Sequence, residues 1–126
     1  MTEAQHQQYV FKWAAQPHIR AKYPCLALLH HIPNGGKRDA REATQLKRQG
    51  VKSGVPDLHL PVAAGGYNSL YIELKADKGK PSNAQLWWIA KLNSYNNYAT
   101  ICYGWQSAIE VILRYLDGKI NGTERD

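Results

Sequence analysis

The chain has 126 residues, 44% of them hydrophobic, which allows one domain with a real core and leaves little room for a second. Lys and Arg number 16 against 10 Asp and Glu, a net charge of +6 that favours a polyanionic partner, most often nucleic acid. This composition excludes a disordered chain, a collagen and a disulfide scaffold.

The first residues are polar and lack the apolar stretch of a signal peptide. No apolar run approaches the roughly 20 residues that span a bilayer. An intracellular protein with no membrane partner is expected. Glu3 to Ala15 carries Tyr9, Val10, Trp13 and Ala14 at helical spacing and stops at Gln16-Pro17, which predicts a first helix. Leu26 to Ile32 is a short apolar run ahead of the turn signal Pro33-Asn34-Gly35-Gly36 and reads as a strand. Lys37 to Gln49 predicts a second, mostly polar helix, with Gly50 placed for a left-handed C-terminal cap. Asp57 to Val62 alternates like a strand, and Ala63 to Asn68 forms a hairpin-like loop.

Ser69 to Lys75 is the clearest strand, with Leu70, Ile72 and Leu74 on one side and Tyr71, Glu73 and Lys75 on the other. Ser82 to Tyr95 predicts a helix bearing apolar Leu86, Ile89, Ala90 and Leu92. Thr100 to Tyr103 reads as a last strand and Gln106 to Leu116 as a last helix, before a polar tail from Asn121 expected to fray. The order α-β-α-β-β-α-β-α predicts an α/β fold, a mixed sheet flanked by helices, in one domain over residues 1–126. Cys25 and Cys102 both sit in apolar stretches and are expected to be buried free thiols.

The informative pattern is Pro56-Asp57 followed by Glu73-Leu74-Lys75. Glu73 and Lys75 are two apart on a strand and so share a face. Asp57 opens the neighbouring strand of a hairpin, where its carboxylate can meet Glu73 across the sheet. Pro56 restrains the chain ahead of it. Two carboxylates so close repel unless a cation lies between them. A hard divalent ion, Mg²⁺ or Mn²⁺, fits oxygen donors, with the Leu74 backbone carbonyl and waters completing its shell. A lysine alongside can hold an attacking water or offset charge on a phosphate, and the set suffices for phosphodiester hydrolysis. No small-molecule cofactor is implied. A short pattern of this kind also fits a turn-capping Asp and an exposed charged strand.

The excess positive charge concentrates between Asn34 and Gly54, where Lys37, Arg38, Arg41, Lys47, Arg48 and Lys52 face only Asp39 and Glu42. Arg38, Arg41 and Arg48 fall near one helical face, and the segment leads directly into Asp57. A phosphate-tracking role follows, one that positions a backbone without reading bases. At Ser53-Gly54 backbone amides can approach a phosphate. His30, His31 and His59 lack the spacing of a zinc site, although His59 shares the face of Asp57. Trp87-Trp88 reads as core plus interface.

Four blocks then stand in order: Asn34-Gly35-Gly36-Lys37-Arg38; Leu46-Lys47-Arg48-Gln49-Gly50-Val51-Lys52-Ser53-Gly54-Val55-Pro56-Asp57-Leu58; Tyr71-Ile72-Glu73-Leu74-Lys75; and Lys80-Pro81-Ser82-Asn83-Ala84-Gln85. Together they resemble the VRR-NUC family, the virus-type replication-repair nucleases of the PD-(D/E)xK superfamily, over about Glu3 to Leu116. The resemblance implies the restriction-endonuclease-like core, Asp57 and Glu73 as metal ligands, Lys75 as the catalytic lysine and Gln85 beside the active site. It also matches Glu3 to an acidic residue of the first helix that helps bind or orient the metal. Ser82 to Gln85 equally fits a helix-capping box, so Gln85 is expected either to cap its helix or to face the metal site. The implied function is a metal-dependent, structure-specific DNA endonuclease, resembling Holliday-junction resolvases that act as homodimers. A flap or nicking nuclease of repair, and a non-catalytic DNA-binding module, are the alternatives. A phage or a prophage-carrying bacterium would be a natural source.

Overall fold

The computed structural model describes residues 1–33 and 39–120. The frayed tail expected beyond Asn121 lies outside the described residues, as do Lys37 and Arg38.

Helix α1 spans Glu3–Ala14 and starts at a complete capping box, Thr2 with Gln5. Pro17 does not end the helical region. It occupies the first turn of a short helix α2, Pro17–Lys22, where its missing N–H costs nothing. The apolar run expected as a strand is instead mostly a 3₁₀ helix, Pro24–Leu28, followed by a two-residue strand β1, His30–His31. Leu26 and Leu29 are three apart and are both buried. A period of three lets a 3₁₀ turn aim both at the core, and a short apolar run is compatible with either form.

Helix α3, Ala40–Arg48, is capped by the Asp39 carboxylate on the Glu42 N–H and buries none of its residues. Gly50 follows with φ 96°, the left-handed cap its position predicted. Strands β2 (Leu58–Leu60) and β3 (Leu70–Lys75) come next, then α4 (Asn83–Ser94), β4 (Tyr98–Tyr103) and α5 (Trp105–Leu116). The predicted element order holds, with α2 inserted.

The sheet order is β1-β2-β3-β4, antiparallel for the first two pairs and parallel for β3 with β4. The parallel pair is the one joined through a helix, α4, as such connections require. Leu70, Ile72 and Leu74 of β3 are each 1% exposed and meet Val10, Ala14, Leu26, Ala108 and Ile112 in one core. Helices α1 and α5 cover this side of the sheet. Tyr115 closes its far end, donating its hydroxyl to the Val62 carbonyl at 2.6 Å. Cys102 is buried and Cys25 half-buried, both free.

Helix α4 covers the other side and buries none of its residues. The expected apolar stripe is only half used: Ile89 and Leu92 are half-buried, while Leu86 is exposed. Trp87 is 55% exposed, which corrects the core reading for that residue, while Trp88 is half-buried. The strand face beneath α4 is polar at Glu73 and Lys75, and among the described elements no further layer lies outside it.

Candidate active site

Asp57 stands one residue before β2. Leu58 pairs with Ile72, so continuing the antiparallel register one step sets Asp57 opposite Glu73, on the same face. The geometry expected of the hairpin is therefore present. Pro56 is fully buried and fixes the entry. The Asp57 carbonyl accepts the Ile32 N–H at 2.7 Å, and its carboxylate Oδ2 accepts the Leu74 N–H at 2.8 Å. The aspartate is thus held at both ends, to β1 by its backbone and to β3 by its side chain. In an extended strand the N–H and C=O of one residue point the same way, so the Leu74 carbonyl is turned toward Asp57 as well.

Glu73 is only 2% exposed and Lys75 only 7%. An exposed charged strand is thereby ruled out. The Lys75 Nζ lies 3.8 Å from Glu73 Oε2, and Glu73 Oε1 is buried without a hydrogen-bond partner among the described residues. Burial pushes the Glu73 carboxyl up to about 9, and the neighbouring Asp57 carboxylate adds to the shift. Lys75 opposes it, too weakly to restore the charge. Without a metal the carboxyl proton is shared with Asp57, and a cation set between the two carboxylates would take that proton's place.

Gln85 resolves an apparent conflict. Its Oε1 accepts the Ser82 N–H at 2.8 Å, while Ser82 Oγ accepts the Gln85 N–H at 3.1 Å, so the capping box is closed. Its Nε2 at the same time donates to Glu73 Oε2 at 3.3 Å. The two roles were expected to exclude each other. The amide has two ends, and each serves one of them.

Glu3 is exposed on the first turn of α1 and adds a distant repulsion to Glu73. Among the described residues no group of three or more His, Cys, Asp or Glu side chains gathers, so Glu3 is not brought into the carboxylate pair. Two carboxylates, one carbonyl and waters suit Mg²⁺, which is commonly held by one or two carboxylates plus substrate phosphates.

The basic segment reaches the site through a close contact. Gly54 has φ 87°, and a Cβ there would lie 2.7 Å from the Ala84 backbone carbon. Only glycine lets the loop press on the start of α4 this tightly. The Trp88 indole N–H then donates to the Ser53 carbonyl at 3.0 Å. Arg41, Arg48, Lys52 and Ser53 are all exposed. Sequence reasoning passed over His31. Its Nδ1 lies 2.9 Å from the Asp57 carbonyl, and since a carbonyl only accepts, this nitrogen carries the proton. A histidine ahead of a turn signal is too general a pattern to find it in advance.

The family model of the VRR-NUC domain matches residues 1–106. The chain belongs to the VRR-NUC family. A solved structure described as a VRR_NUC domain protein is similar to it, with 31% identity and a TM-score of 0.80 over 94% of this chain and 90% of that one. No curated protein matched. The VRR-NUC assignment brings a nuclease-type family to the fold and accounts for the four sequence blocks. Among the described residues no helix is long and apolar enough to cross a membrane.

Proposed function

We propose that this VRR-NUC domain is a Mg²⁺- or Mn²⁺-dependent DNA endonuclease that hydrolyses phosphodiester bonds in branched DNA as a homodimer. The observation that carries the reading is the opposed pair of half-buried Asp57 and buried Glu73 beside buried Lys75, with one glutamate oxygen left without a partner among the described residues.

Asp57, Glu73 and the Leu74 carbonyl would hold the ion. Bound there, it would lower the pKa of a water and polarise a phosphoryl oxygen. The Leu74 N–H fixes the direction of the Asp57 carboxylate. Gln85 does the same for Glu73 from α4. The Lys75 ammonium, held among these groups, orients the attacking water and offsets charge developing on the phosphate. Exposed Arg41, Arg48, Lys52 and Ser53 would contact the DNA backbone, and Lys37 and Arg38, which lie outside the described residues, would add to that charge. One domain carries one such site, and symmetric cutting of a four-way junction needs two related by a twofold axis. Homodimerisation follows from that requirement.

The test is a cleavage panel of four-way junction, flap, nicked and linear duplex with each metal, alongside sedimentation of the protein. Junction cleavage lost in Asp57→Ala and in Lys75→Ala, with DNA binding retained, supports the reading. Cleavage that survives in Asp57→Ala would sink the site. A protein that stays monomeric with and without junction DNA would remove the resolvase version, and preferential cutting of flaps would replace it with a repair nuclease.

A further inference from the structure

Three aromatic rings stand in a row across three strands. His30 of β1 pairs with His59 of β2, and His59 pairs with Tyr71 of β3, so all three share one face. The His59 and Tyr71 rings stack at 4.0 Å with their planes 9° apart, and the His30 ring meets His59 edge-on at 5.3 Å. Tyr71 is two residues before Glu73 on the same strand, so this is the face of the candidate active site.

Among the described residues the helices pack chiefly on β3 and β4, and none of them covers the row over β1 and β2 as core. His30 is exposed, while His59 and Tyr71 are half-buried. Among the described residues the Tyr71 hydroxyl has no hydrogen-bond partner, and His59 Nε2 is enclosed without one. His30 Nδ1 lies 2.9 Å from the Leu28 carbonyl, which makes it the protonated nitrogen and turns Nε2 away from that bond. The His59 ring, flat against Tyr71, serves as a stacking partner.

Position gives the row its role. Tyr71 lies about 7 Å from Glu73 along β3, and His30 two strands further over, about 12 Å away, at ordinary strand rise and spacing. Those distances lie within a few nucleotides of the scissile phosphate along a DNA strand. We propose that His30, His59 and Tyr71 form a DNA-strand subsite within a few nucleotides of the scissile phosphate, with the Tyr71 hydroxyl donating to a phosphate, His59 bracing the tyrosine ring and His30 closing the far end of the row. This rests on the nuclease reading and adds a contact that phosphate-tracking by the basic segment does not supply.

The experiment maps the cut, then measures binding of substrates carrying one neutral methylphosphonate at each position around it, in Ca²⁺. The proteins compared are wild type, Tyr71→Phe and His30→Ala. Tyr71→Phe keeps the stacked ring and removes only the hydroxyl, so folding is preserved, as a melting curve would verify. For wild type, one methylphosphonate at a single position within a few nucleotides of the cut should weaken binding about 3- to 10-fold. The same substitution should cost the two variants little more than they have already lost. Variants that bind as wild type, or that lose affinity equally at every substituted position, would overturn the subsite while leaving the nuclease intact. A wild type that binds and cuts no DNA would overturn the nuclease reading itself.

Discussion

Removing the charge from Glu73 tests the buried site without any assumption about the substrate. The Glu73 carboxyl is raised from an ordinary 4.5 to about 9 by burial and by Asp57. The unfolded chain releases this proton near 4.5, while the folded, metal-free protein keeps it until about 9. Between those values the folded state binds the extra proton, so stability falls as pH rises, by about 1.4 kcal/mol per pH unit. Below 4.5 both states are protonated and above 9 both are ionised, and the slope vanishes. From pH 5 to pH 8 the loss is about 4 kcal/mol, a large part of the roughly 5–15 kcal/mol that holds a domain together. The assay is urea unfolding at several pH values for wild type and Glu73→Gln. The glutamine keeps the shape but cannot ionise, so the difference between the two profiles reports the titration of the Glu73–Asp57 pair. Mg²⁺ or Mn²⁺ should stabilise wild type increasingly as pH rises through the same window, because the ion favours the carboxylate. If the two proteins lose stability in parallel from pH 5 to 8, the burial argument is wrong.

Other consequences follow from single contacts. Ser82→Ala removes the cap hydroxyl and should cost about 1 kcal/mol of stability while leaving turnover within about twofold. Gln85→Ala should cost similar stability but lower turnover at least about tenfold, since it also frees Glu73; equal turnover in the two variants would separate Gln85 from the chemistry. Gly54→Ala should lose about 2–4 kcal/mol in urea unfolding, from a left-handed backbone plus a Cβ pressed on Ala84, whereas Gly50→Ala, with open space around it, should lose only about 1–2. Replacing Arg41, Arg48 or Lys52 by Ala should reduce the slope of log binding constant against log salt by about 0.9 for each phosphate contact removed.

Much of the fold was written in local patterns. The alternation from Leu70 to Lys75 placed the leucines and isoleucine in the core and Glu73 with Lys75 opposite, because side chains in a strand alternate by geometry alone. Gly50, Ser82 and Gln85 announced helix ends through capping chemistry that acts over three or four residues. The run from Leu26 to Ile32 was misread as a strand because both strand and 3₁₀ helix can bury a short apolar segment, and the choice depends on what it packs against. Trp87 looked like core for a similar reason, since hydrophobicity does not say how many layers a fold will have.

The site divides the same way. Residue types and spacing pointed to Asp57, Glu73 and Lys75, because each chemistry needs a particular functional group at a fixed offset, and the family resemblance added Gln85. Whether those groups were solvated or buried, and therefore whether Glu73 keeps its proton, was decided only by α4 and β4 closing around β3. The double use of the Gln85 amide, the His31 contact to Asp57, and the row of His30, His59 and Tyr71 join residues from 12 to 41 positions apart. Burial and cross-strand register are properties of the assembled sheet, and no local stretch of sequence contains them.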